Sequence, residues 1–291
     1  MTKVLTIAFQ QWLHHRSARL GAALAYYSVF SMGPLLLIVT SVAGLLFGAD
    51  AVRGRLIAEF RSLLGETGSK AVEAILAGAS SPQSGRVAAA VGLVLLLVAA
   101  VGVVAQLKDA LNTIWNIEDP RDASWGWYAR TYFVSFAGVL ALGFLLAVSL
   151  VISTGLAAIT SLLGVSTEDA LGLEAANFMV SLALLTALFA MLFKWFPDTD
   201  IAWRDVWFGA VLTALVFNLG KLVIGWYVGT QGLDSTYGAA ASIVVLMLWV
   251  YYTAQIVLFG AEVTHAYATV RGSRRGDSPD ARSTHNHALS Q

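Results

Sequence analysis

Cysteine is absent from the sequence. That absence excludes a disulfide framework, a thiol nucleophile and any cysteine-held metal. Charge is scarce as well. Asp, Glu, Lys and Arg make up 12% of the chain, about half the ~25% of ordinary globular proteins. So few charges do not cover the surface of a soluble globule of 31.0 kDa. The 18 basic and 18 acidic residues cancel, so no chain-wide basic field exists to hold nucleic acid. Enzyme signatures are missing too. Gly220-Lys221 is followed by Leu222, which rules out a phosphate loop, and neither G-x-G-x-x-G nor G-x-S-x-G occurs.

What is abundant is apolar side chain, 57% of the chain. That much hydrophobicity excludes disorder of the chain as a whole. The charges are also segregated. Residues 20–49, 87–107, 131–167, 175–193 and 235–261 carry none, and 206–233 carries only Lys221. A helix rises 1.5 Å per residue, so about 20 apolar residues cross a ~30 Å hydrocarbon core. The leucine and alanine content favours helices over a barrel. The fold class expected is therefore all-α and polytopic, with six transmembrane helices near 20–49, 87–107, 131–160, 175–193, 206–229 and 237–261. The third stretch is long enough to be one span with an extension, or two short spans turning at Ser153, Thr154 and Gly155.

Charge asymmetry bears on that choice, because cytoplasmic flanks gather Lys and Arg. The N-terminal flank has Lys3, Arg16 and Arg19 without an acid, and the tail has Arg271, Arg274, Arg275 and Arg282. Both termini are then cytoplasmic, the number of spans is even, and six is preferred to seven. The first outer segment, 50–86, carries Arg53, Arg55, Arg61, Lys70 and Arg86. The two short outer connections hold only acids: Glu168, Asp169 and Glu174 in one, Asp234 in the other. Trp115, Trp125, Trp127, Trp195, Trp203 and Trp207 fall at the inner interface, Trp226 at the outer one, and Trp249 mid-span.

Three segments flank the spans. Residues 1–19 show no cleavable signal peptide. Leu5, Phe9, Trp12 and Leu13 recur at helical spacing, which predicts an amphipathic helix on the inner surface. Leu56, Ile57, Phe60, Leu63 and Leu64 share one helical face, and Val72, Ile75 and Leu76 another. Gly65 and Gly68 separate the two sets, and Ser80-Ser81-Pro82 ends the second. The prediction is a small extracytoplasmic helical hairpin. The membrane domain covers 20–270, and the polar tail 271–291 reads as disordered.

Candidate chemistry is sparse. His14, His15, His265, His285 and His287 all lie outside the spans, and His285 with His287 reads as a solvated tail rather than a metal site. Asp198-Thr199-Asp200 has the look of a cation-holding D-x-D, but it precedes Ile201-Ala202-Trp203, where an aspartate caps a helix. No catalytic residue, metal or cofactor is expected. Glycines four apart, Gly44 with Gly48 and Gly225 with Gly229, read as close helix contacts.

Polar groups within the spans are the pathway candidates, since burial without a partner is costly there. Pro34 frees a carbonyl or simply shapes the bundle. Asn218 and Lys221 are three apart on one helical face. Tyr251, Tyr252 and Gln255 cluster on the sixth span. Glu262, seven residues beyond Gln255, reads as a hydrated anchor at the inner boundary or as part of the pathway. Lys221 lies about 22 Å from the inner end of its span and about 12 Å from the outer end. It either reaches upward to the outer phosphates or to Asp234, or lines a polar cavity with Asn218.

At these residues the sequence resembles the YihY/BrkB-like inner-membrane proteins. The likeness runs through Ala23, Tyr26, Tyr27 and Pro34, through Phe196-Pro197-Asp198, Arg204-Asp205, Trp207 and Gly209, and through Ser235, Tyr237, Gly238, Trp249, Tyr251, Tyr252, Gln255 and Phe259-Gly260-Ala261-Glu262. It covers about residues 10–270. The resemblance implies a six-helix protein of the bacterial inner membrane. The family has carried two functional labels, a tRNA-processing ribonuclease called BN and a serum-resistance virulence factor, and some members have been linked to export of lipid A precursors. RNA cleavage needs a metal site or a positioned acid–base pair and a basic surface, and no such cluster is present in the sequence. The leading expectation is a transporter or exporter whose partners are the bilayer and an anionic lipid or other anionic substrate, with no nucleic acid. A non-transporting membrane scaffold for the envelope is the alternative.

Overall fold

The computed structural model describes residues 1–79, 102–117, 167–230 and 241–274. Among them every regular element is a helix: α1 (Thr2–His14), α2 (Ser17–Phe47), α3 (Ala49–Ala79), α4 (102–114), α5 (Thr167–Trp195), α6 (Trp203–Thr230) and α7 (Ala241–Val270). The third charge-free stretch near 131–160, most of 87–107, the acids Glu168, Asp169 and Glu174 as side chains, Asp234, Trp125, Trp127 and the tail histidines lie outside the described residues or side chains. Two helical segments are long and apolar enough to cross a membrane among the described residues, Phe178–Trp195 and Ala241–Val270. Large apolar side chains are exposed on these helices and on α6, including Phe178, Met179, Leu219, Val223 and Ile243. Such a surface suits hydrocarbon rather than water.

The chain forms two compact units. One takes its described residues from Arg16–Leu107 and Phe217–Ile256. Here α2 runs unbroken through Pro34. It ends at Gly48, whose φ of 84° is open to glycine, and whose N–H donates to the Gly44 carbonyl at 2.9 Å. A Cβ on Gly44 would come within 3.1 Å of the Ala49 Cα. This glycine pair therefore makes the turn from α2 into α3, not the helix–helix contact its spacing suggested. Helix α3 breaks once, at Gly65 (φ 70°), the first of the two glycines expected to separate its apolar faces. Leu64, Val72 and Leu76 are buried with Leu36 of α2 and Val245, Leu246 and Trp249 of α7. Gly33 allows this approach, for a Cβ there would stand 3.2 Å from Ile75. Ser69 of α3 is buried as well.

The other unit takes its described residues from Met1–His15, Lys108–Val216 and Val257–Gln291. Its centre is an α6–α7 contact of small residues. Gly209 lies against Thr264, and Gly260 against Thr213, so closely that a Cβ on either glycine would overlap the facing hydroxyl. Each threonine turns its hydroxyl back to a carbonyl of its own helix, Thr213 to Gly209 at 2.6 Å and Thr264 to Gly260 at 2.8 Å. The polar atoms are thereby satisfied inside an apolar contact. Helix α1 packs beside it through Val4 and Ala8, which meet Val263 and Ala266. The stripe Leu5, Phe9 and Leu13 faces outward, 42%, 53% and 55% exposed. Helix α1 thus has two apolar faces, one for the protein and one left for its surroundings.

Candidate functional site

Of the seven residues expected to mark a pathway, six belong to the unit built on α2 and α3, and Glu262 belongs to the other. In the unit built on α2 and α3, Lys221 of α6 is partly exposed, with its ammonium 5.8 Å from the centre of the Phe217 ring one turn earlier. Asn218 shares that helical face. The Tyr252 hydroxyl of α7 lies against Gly220, where a Cβ would come within 2.5 Å of it. Trp249, expected mid-span, is buried edge-on against Phe217 at 6.1 Å. The Gln255 amide donates to the Ala18 carbonyl at 3.4 Å, tying α7 to the start of α2. Tyr251 is half-buried. Pro34 lies in the helical run of α2, and its side chain is not among those described.

Glu262 belongs to the other unit and corrects the sequence reading. It is not a hydrated anchor: its side chain is fully buried and accepts a hydrogen bond from His15 Nδ1 at 2.8 Å. His15, immediately after α1, is 8% exposed at the side chain. The Glu262 hydrogen bond holds the imidazole pKa above its ordinary value. Burial opposes this, while the Glu262 charge and a hydrogen bond with Asn116 assist it. Asn116 reaches that place because α4 ends in a left-handed turn. Its φ is 54°, and the Ile117 N–H donates back to the Asn112 carbonyl at 2.9 Å. Asparagine tolerates this conformation better than most residues.

The same helix end organises the loop before α6. Lys108 and Asn112, one turn apart on α4, both engage Asp198. The lysine ammonium is 2.7 Å from Oδ1. The Asn112 amide donates to Oδ2 at 3.0 Å, and its oxygen accepts from the Asp198 N–H at 2.9 Å. Asp198 therefore caps no helix: α6 begins at Trp203 with Ala202 as the first acceptor. Asp200 points to solvent, 3.9 Å from Lys194, whose ammonium donates to the Ile201 carbonyl at 2.7 Å. Neither aspartate of the D-x-D faces an open cation site, and among the described residues no group of three His, Cys, Asp or Glu is arranged to hold a metal.

The segment just beyond α7 is fixed where disorder was expected from residue 271. Arg271 and Gly272 both donate to the Tyr267 carbonyl at 2.9 Å. Arg274 donates to the Thr199 hydroxyl and to the Asp200 carbonyl, the latter at 3.0 Å. Its guanidinium lies 5.2 Å from the centre of the Trp115 ring. Trp115 is thus buried between Arg274 and His265 rather than placed in an outward belt. Trp195, Trp203 and Trp207 are about half exposed. Asp205, in the first turn of α6, is buried and accepts from the Ser273 N–H at 3.0 Å and hydroxyl at 2.7 Å. Gly272 is needed there, since any Cβ would strike that carboxylate. Lys108, Asn112, Asp205 and Arg274 were not anticipated as a set, because their partners lie far away in the chain.

Comparison with known proteins adds the relatives. The model of the family described as virulence factor BrkB matches residues 8–285. A UPF0761 membrane protein of Saccharophagus degradans is 30% identical over 263 residues, covering 87% of this chain and 57% of that protein. A UPF0761 membrane protein of Pseudomonas aeruginosa is 29% identical over 283 residues, covering 94% of this chain and 66% of its own. This chain thus spans about three-fifths of the length of these relatives. No solved structure matches it.

Proposed function

The chain belongs to the virulence factor BrkB family of membrane proteins, and we propose that within it the chain is a six-span transporter of the bacterial inner membrane that exports an anionic or lipid-like substrate and catalyses no covalent chemistry. Both termini face the cytoplasm in this reading, with 50–86, 168–174 and the region of Asp234 outside. The observation that carries it is Lys221. Lysine near a bilayer centre costs about 2.5–3.5 kcal/mol on insertion scales. A ring contact such as that with Phe217 returns about 0.5–2 kcal/mol. The difference favours an anion or water beside the ammonium, and Asn218 and Tyr252 supply neutral polar groups on the neighbouring surfaces. The engaged state of Asp198 supports the absence of a cation-dependent nuclease site.

The test is complementation of a deletion strain, with transport into vesicles as the second readout. Lys221→Met keeps the stem and removes the charge. It is expected to insert and fold normally and to lose function, while Lys221→Arg restores part of it. Full activity of Lys221→Met sinks the transport role of this residue. Metal-dependent RNA cleavage by the purified chain sinks the non-enzymatic reading.

A further inference from the structure

Between α1 and the first half of α6 runs a groove of about 450 Å³, lined by Val4 and Leu5 on one side and Trp207, Phe208, Val211 and Leu215 on the other. Every one of these side chains is apolar or aromatic. A peptide placed there would bring N–H and C=O groups that nothing in the walls bonds, whereas a hydrocarbon chain brings none. At 100° per residue, the groove-lining positions of α6 form a single stripe, and Arg204 falls on the centre line of that stripe one turn toward the helix start. Arg204 is exposed and makes no ion pair with a carboxylate among the described residues. From Trp207 to Leu215 the groove descends about 12 Å along α6. Trp207, 46% exposed, stands at its mouth, where an indole suits the headgroup level. The outward stripe Leu5, Phe9 and Leu13 gives α1 a second apolar face on the same lipid layer.

We propose that the groove between α1 and α6 holds one acyl chain of an anionic phospholipid whose phosphate rests on Arg204. The lipid stays at the cytoplasmic end of α6, apart from Lys221, and fastens α1 to the membrane domain. The inference rests on α6 entering the bilayer at Trp203, as in the reading above.

The experiment uses the full chain in nanodiscs of equal phosphatidylglycerol and phosphatidylcholine. Each lipid in turn carries a photoactivatable diazirine in its acyl chain, and the labelled positions are mapped by peptide mass spectrometry. Phosphatidylglycerol is expected to label residues 1–5 and 207–215 severalfold more than the exposed face at Leu219 and Val223, and more than phosphatidylcholine does. Arg204→Gln is expected to reduce phosphatidylglycerol labelling of the groove to the phosphatidylcholine level. Val211→Trp fills the groove and lowers labelling by both lipids, with Leu219 and Val223 as the internal measure of a folded, embedded chain. Equal labelling of groove and reference face overturns the proposal. So does an unchanged headgroup preference in Arg204→Gln, or a groove found covered by a second copy of the chain. Loss of labelling at Leu219 and Val223 as well would instead refute the membrane placement of α6, and so separates the two failures.

Discussion

Cutting the bond between His15 and Glu262 is the sharpest test of how the α1 unit is held. The bond is short, 2.8 Å, and its side chains are 8% and 0% exposed. Removing one member of a buried ion pair costs about 3–5 kcal/mol, because the other is stranded without compensation. His15→Ala removes the cation that faces the buried Glu262 carboxylate and is expected to cost up to that amount. Glu262→Gln keeps the shape and still offers an oxygen to Nδ1–H. It exchanges a charge-assisted bond for a neutral one and is expected to cost about 1 kcal/mol. The double variant His15→Phe with Glu262→Met removes both charges and fills similar volume, so its cost falls well below that of His15→Ala. Equilibrium unfolding in mixed dodecyl sulfate micelles, followed by far-UV circular dichroism, measures wild type and these variants, and a double-mutant cycle of His15→Phe with Glu262→Met, each of which removes the bond, isolates the coupling.

The pH dependence has a definite sign. The folded-state pKa of His15 is raised. Its contribution is therefore fully present below the ordinary histidine value of about 6.5, and declines as pH rises through the higher folded value. The stability gap between wild type and His15→Ala should narrow on going to alkaline pH. A gap that widens, or single costs that add without coupling, would show that the bond is not what holds α1 in place.

Three further outcomes follow from the packing. Lys70, exposed on α3, is the site for a topology probe: Lys70→Cys should react with an impermeant thiol reagent on intact cells, while Arg271→Cys reacts only after permeabilisation. Ser69, its neighbour, is buried and makes a poor labelling site whichever side it faces. Gly209→Val drives side-chain atoms into Thr264 and should reduce the folded yield several-fold by size-exclusion chromatography, whereas Leu219→Ala, at an exposed position of α6, should leave the α6–α7 contact assembled. Arg274→Ala releases Thr199 and the Asp200 carbonyl. Hydrogen exchange should quicken in residues 198–202 and stay unchanged in α3.

What the sequence discloses here is composition, and what it hides is partnership. The charge-free stretch 175–193 falls within α5, and 206–229, with Lys221 as its one charge, within α6, because apolar content and helix propensity are local properties that a run of residues carries by itself. The expected end at 261 falls short of the end of α7 at Val270 for the same reason. Glu262 and His265 look like a polar boundary when only neighbours in sequence are considered. In three dimensions His15, 247 residues away, takes up the Glu262 charge, and the helix continues through the protein interior. Asp198 follows the same pattern: its local signal is that of a cap, but its partner Asn112 is 86 residues distant.

The glycines repeat the lesson in apolar form. Of the two Gly pairs singled out at spacing four, Gly44 and Gly48 make a turn, and the surroundings of Gly225 and Gly229 lie outside those described. The close contact belongs to Gly209 with Thr213 and Gly260 with Thr264, where threonine serves as the small residue because its hydroxyl is satisfied by its own helix. A search for small residues at that spacing, with threonine admitted, would have found both pairs and their helices. Lys108 and Asn112 carry a comparable signal. They stand one turn apart on a helix whose Ala110, Leu111 and Ile114 are fully buried. A charge and an amide on one face of such a helix have to be met by something. That requirement is readable from α4 alone, although the identity of Asp198 as the answer is not.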